Sequence, residues 1–100
     1  MPHFVYKLIP PRPGFAQDMT PEEGALMAAH SAHWRGLMDE GRVLVFGPVA
    51  DPAGVWGMAV VEAADADAVA AMGDADPAVA SGTMTYAVMP MLSAVVPAAG

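Results

Sequence analysis

The sequence has no cysteine, which removes disulfides, thiolate nucleophiles and zinc–thiolate sites from its possible chemistry. Basic residues are scarce, four against eleven acids for a net charge of −7. Nothing forms the basic stripe that phosphate-backbone binding requires, so nucleic acid is excluded as a partner. No apolar run approaches the ~20 residues that span a bilayer, so a soluble chain without a membrane partner is expected. No signal peptide is visible either. The apolar run from His3 to Ile9 is too short for one and leads into PPRPG, not a small-residue cleavage site, which gives a cytoplasmic reading. There are no internal repeats, and DADAVAAMGDAD lacks the regular oxygen-ligand spacing of a calcium loop. What is present is a hydrophobic content of 55% with 15% charge in 100 residues, which excludes disorder and predicts a single domain over the whole chain.

The stretch TPEEGALMAAHSAHWRGLMDEGRVLVFGP, Thr20 to Pro48, organises the rest. Thr20 can cap a helix whose first residue is Pro21, with Glu23 placed to reach back to the cap as a capping box. Gly41 favours a left-handed stop and a turn into a strand. At about 100° per residue, Leu26, Met27, His30, Trp34, Leu37 and Met38 share one stripe. His30 lies near its centre and His33 some 60–70° away, at the boundary. A titratable ring on an apolar face needs a hydrogen-bond partner or a wet pocket. His30 is therefore either a core histidine tied to a backbone carbonyl or a functional group.

Around this helix, HFVYKLI reads as a first strand with Phe4, Tyr6 and Leu8 on one face and Val5, Lys7 and Ile9 on the other. Pro10 to Met19, with three prolines and a glycine, reads as a surface loop or lid. Strands are predicted over Val43 to Val49, Val55 to Glu62 and Thr83 to Pro90. A short helix capped by Asp65 is expected over Ala66 to Met72, breaking at Gly73, with one more helical turn within Ala78 to Gly82. Gly57 marks a bulge or a close backbone approach. The tail Met91 to Gly100 either lies along a partner or frays. The order β-α-β-β-α-β gives an α+β, ferredoxin-like fold: a four-stranded antiparallel sheet with two helices on one face. Apolar residues also occupy the other face, so a homodimer packed sheet to sheet is expected, forming a dimeric α+β barrel with interior space for a small-molecule ligand.

The run His30-x6-Leu37-x2-Glu40-Gly41-Arg42-x4-Gly47-Pro48, followed by Asp74-Ala75-Asp76-Pro77-x4-Gly82, resembles the YCII-related (YciI-like) proteins over nearly the whole chain. The resemblance selects His30 over His33 and implies a His30–Asp76 catalytic pair on a dimeric ferredoxin-like barrel. Departures are Ala78, where the family usually carries a bulky residue, the second histidine His33, and the proline-rich first loop. A carboxylate on one ring nitrogen fixes the tautomer and stabilises the imidazolium, which suits His30 to proton transfer. The bland alternative for Asp76 is a turn-forming Asp-Pro, and the two roles are compatible. Arg42 is the candidate anchor for an anionic substrate, Gly47 and Pro48 the shapers of the pocket rim, and Trp34 a wall of the substrate site. The functional expectation is a cofactor-free, metal-free lyase, dehydrochlorinase or isomerase acting on a small organic molecule. The alternatives are a non-catalytic metabolite-binding dimer and a metal site built from His30, His33 and His3.

Overall fold

Alternation along the first strand, β1 (His3–Ile9), decides which face of the sheet is covered: Phe4, Tyr6 and Leu8 are buried while Ile9 is exposed. In the computed structural model, which describes residues 1–98, β1 is followed by α1 (Phe15–Asp18), α2 (Pro21–Asp39), β2 (Val43–Val49), β3 (Trp56–Glu62), α3 (Ala66–Asp74), α4 (Pro77–Ala80) and β4 (Thr85–Pro90). The strands form one antiparallel sheet in the order β2-β3-β1-β4, the ferredoxin-like α+β arrangement. Trp34 and Leu37 of α2 and Val69 and Met72 of α3 close over Phe4, Tyr6, Leu8, Ala59 and Val61 to make the core. No described helix is long and apolar enough to cross a membrane.

The helix signals act as written in the sequence. Thr20 accepts from the Glu23 backbone N–H at 3.2 Å and Glu23 Oε1 accepts from the Thr20 N–H at 2.9 Å, a complete capping box. At the other end Gly41 takes φ 79°, and its N–H reaches the Met38 carbonyl. Asp65 caps α3 through the Ala68 N–H.

Two expectations are corrected. Pro10 to Met19 is not an open loop: it contains α1, whose Phe15 is buried, and Arg12 joins it to α2 through Asp18 and Glu23. The Arg12 bond, aided by the Thr20 backbone, holds the Glu23 carboxyl down to about 2. Helix α3 does not break at Gly73 but runs through it to Asp74, because that glycine is buried against the rings of Tyr6 and Tyr86. At Gly57 the second of the two expected alternatives is found, a close approach in which an added Cβ would stand 3.2 Å from Leu8 Cβ, and the sheet irregularity lies in β2 between Val43 and Val45. After β4 the chain holds on through the Met91 N–H to the His3 carbonyl, and Leu92 and Val95 are fully exposed. Of the tail, Ala99 and Gly100 lie outside the described residues.

Candidate active site

An Asp-Pro at the start of a helical turn uses one carboxylate oxygen locally and leaves the other free, and this local rule builds the site. Asp76 is the N-cap of α4, and its Oδ1 accepts from the Ala78 N–H at 2.9 Å. Its Oδ2 accepts from two side chains one helical turn apart on α2: His30 Nδ1 and Trp34 Nε1, each at 2.7 Å. The Asp76 side chain is fully buried and His30 nearly so, with 13% of its side chain exposed. Burial pushes the Asp76 carboxyl up, but the hydrogen bonds from His30, Trp34 and Ala78 together outweigh it and hold the group below the usual carboxylate range. An ionised carboxylate can only accept, so the imidazole carries its proton on Nδ1. In the neutral ring Nε2 is then a free base, and it makes no hydrogen bond to the described residues.

His30 faces a cavity of about 280 Å³. It is lined by Tyr6 and Leu8 of β1, Phe15 of α1, Met27 and Trp34 of α2, Phe46, Gly47 and Pro48 of β2, Trp56 of β3 and Met84. Asp51, held below its usual range by the Ala53 backbone N–H and then by Trp56, fixes the Trp56 indole at 3.0 Å. The space is large enough for a substituted six-membered ring, since a cavity of roughly 150 Å³ takes benzene. An imidazole base in an apolar enclosure, oriented from behind by a buried carboxylate, can take a proton from a small molecule and return it.

The model of the YCII-related domain matches residues 4–92, which include both His30 and Asp76. The chain belongs to the YCII-related domain family. Among solved structures it is similar to 5-chloro-2-hydroxyhydroquinone dehydrochlorinase from Burkholderia phenoliruptrix AC1100, in complex with 2,5-dihydroxybenzoquinone. The two share 22% identity over 85% of this chain and 89% of that one, with a TM-score of 0.60. Comparison with curated proteins gives no match.

Within this YCII-related fold, His30, Trp34, Gly47 and Pro48 line the cavity, and Asp76 stands directly behind His30. Arg42 is not brought to the cavity. It precedes β2 at the end opposite Gly47 and Pro48, and its guanidinium points toward Glu40 at 3.7 Å. The position follows from Gly41, which turns the chain directly into β2. His33 donates from Nε2 to the Met72 carbonyl at 2.9 Å and meets Trp34 edge-on, tying α2 to α3. It is therefore engaged elsewhere, and among the described residues no three His, Asp or Glu side chains cluster as a metal site. Two features of the site went unread in the sequence. Trp34 is a donor to Asp76 as well as a wall, a role its four-residue spacing from His30 could have suggested. Phe15 closes the cavity from inside the segment that reads as a loop, and as a large apolar residue amid prolines it was the available sign.

Proposed function

We propose that this YCII-related protein is a cofactor-free lyase or isomerase for a small ring-shaped organic molecule, with His30 as the proton-transferring group and Asp76 as its partner. The observation that carries the reading is the 2.7 Å bond from a buried Asp76 to the Nδ1 of a histidine that borders an apolar cavity. Nε2 removes a proton from an oxygen or carbon of the substrate, and Asp76 stabilises the resulting imidazolium. Dehydrochlorination is the reaction class we favour, by analogy with the structural neighbour. In a chlorinated hydroxyhydroquinone His30 moves one hydroxyl proton to the chlorine-bearing carbon, and removal of a second hydroxyl proton then lets the electrons of that O–H bond expel chloride through the ring, for a net loss of HCl and a quinone product. Trp34 fixes Asp76, and Gly47 and Pro48 shape the entrance. The test is chloride release from a chlorinated hydroxyhydroquinone, followed by ion chromatography. Wild type should release chloride above the buffer rate and His30→Ala should not. Release at the buffer rate by wild type, or equal release by the variant, overturns the proposal; binding of the compound without release would leave a metabolite-holding module.

We further propose that the protein is a homodimer joined through the uncovered sheet face. The register brings Val5, Val45, Val60 and Met89 into one apolar row on that face, with Val45 and Met89 about half exposed. At about 25 cal/mol per Å², covering several hundred Å² of such surface is a strong drive to associate. Light scattering should give twice the 10.3 kDa chain mass at micromolar concentration. Val60→Asp should yield monomer or unfolded chain, whereas monomeric wild type refutes the dimer.

A further inference from the structure

Helical spacing sets the face of α2 that borders the cavity: Met27, His30, Ser31 and Trp34 line it at positions i, i+3, i+4 and i+7. Ser31 is the member of this stripe without a use so far. A serine inside a helix ordinarily returns its hydroxyl to a carbonyl three or four residues back, as Ser81 does at the end of α4 with the Ala78 carbonyl at 3.1 Å, or shows it to water. Ser31 is half-buried and its hydroxyl makes no hydrogen bond to the described residues. It is nevertheless open, since among the described residues the Tyr6 hydroxyl alone is both unpartnered and closed to water. Beyond the backbone a serine has only Cβ and Oγ, so rotation about one bond is enough to turn the hydroxyl along the wall that Ser31 forms. We infer that the Ser31 hydroxyl is a substrate-binding group, which takes a second oxygen substituent of the ring, apart from the one that His30 deprotonates.

The polar inventory of the cavity supports this role. The Trp34 indole N–H is given to Asp76 and that of Trp56 to Asp51, and the Tyr6 hydroxyl is sealed off. Thioethers aside, the side-chain groups left free on the described lining are Nε2 of His30 and Oγ of Ser31. Consecutive residues stand about 100° apart around a helix, so the two groups reach different parts of the cavity from one wall, and a ring with one oxygen cannot answer both. A second oxygen enclosed by apolar side chains without a partner would cost about 1–3 kcal/mol, which makes Ser31 the group that admits it. A hydroxyl also suits both ends of the proposed reaction: it accepts from the O–H of a diphenol and donates to the carbonyl of a quinone. The substrate class is therefore a ring with two oxygen substituents.

The inference rests on reading the cavity as the substrate site, and its test measures binding, not turnover. Titration calorimetry compares phenol with catechol, resorcinol and hydroquinone on wild type and Ser31→Ala. Wild type should bind at least one dihydroxybenzene about tenfold more tightly than phenol, and the variant should lose that advantage while its phenol affinity stays within about twofold of wild type. The variant's melting temperature should equal or exceed that of wild type, because alanine is the better helix former and no bond within the protein is lost. Equal losses for phenol and the preferred diphenol, no preference of wild type for any dihydroxybenzene, or a lower melting temperature in the variant would overturn the inference. The last outcome would mark the hydroxyl as a structural group. If chloride release fails while the diphenol contrast holds, the proposed chemistry falls and Ser31 keeps its role. If release succeeds without the contrast, Ser31 loses that role alone.

Discussion

Replacing Asp76 with alanine is expected to lower stability by about 3–5 kcal/mol and to abolish His30-dependent turnover, because a single buried carboxylate satisfies three donors. Without it the Trp34 indole N–H and the Ala78 amide, both buried, lose their acceptors. Each orphaned donor costs about 1–3 kcal/mol, and the losses overlap since they share one site. His30 would also lose the bond that sets its tautomer. Asp76→Asn keeps the shape but brings an NH2 group against at least one of the same donors, so it should fall between alanine and wild type. Urea denaturation measures the effect, with an unchanged dependence on urea showing that both variants still unfold from a compact state. A loss below about 1 kcal/mol in Asp76→Ala would show that these bonds contribute little.

The same carboxylate gives a pH signature of definite sign. Folded Asp76 titrates below its ordinary 3.8, since the bonds from His30, Trp34 and Ala78 outweigh the upward push of burial. A depressed folded-state value contributes stability that is complete above the unfolded value and is lost as pH falls through the folded one. The stability gap between wild type and Asp76→Asn should therefore narrow as pH falls below about 4. A gap that stayed level to pH 3 would mean that Asp76 is not held as an anion by its neighbours.

The parts legible in the sequence are those governed by local chemistry. Thr20 and Glu23 three residues apart, Gly41 after an acidic pair, and the alternation of Phe4, Tyr6 and Leu8 each specify their structure within one turn or strand. The His30–Asp76 pair spans 46 residues, and no local rule joins them. The family resemblance supplied that pairing, and hydrogen-bond geometry now accompanies it. Illegible parts depend on what packs from elsewhere. Phe15 turns a proline-rich segment inward because a cavity wall needs a large apolar side chain, and Arg12 reinforces that fold-back with carboxylates on both α1 and α2. Arg42 has the right chemistry for an anion but stands at the wrong end of its strand, a placement that residue type alone does not reveal.

Gly73 is the case in which packing overrules propensity most sharply, and Gly73→Val is expected to lower stability by about 3 kcal/mol or more. A glycine inside a helix is ordinarily a defect, and alanine there would add about 1 kcal/mol. At Gly73, however, a Cβ would stand 2.8 Å from Tyr6 Cε2 and 3.0 Å from Tyr86 Cε2. Neither ring can yield, since Tyr6 is flanked by Trp34 and Tyr86, and Tyr86 is tethered through its hydroxyl to Asp74 and the Ala70 carbonyl. Gly73→Ala should therefore be destabilising by about 1–3 kcal/mol despite its better propensity, with valine at or beyond the upper end. Gly24→Ala and Gly36→Ala in α2 are the controls: nothing lies within 4 Å of either added Cβ, and each should gain about 0.5–1 kcal/mol. Thermal and urea denaturation of the four variants decide it, and a Gly73→Ala protein more stable than wild type would refute the close contact.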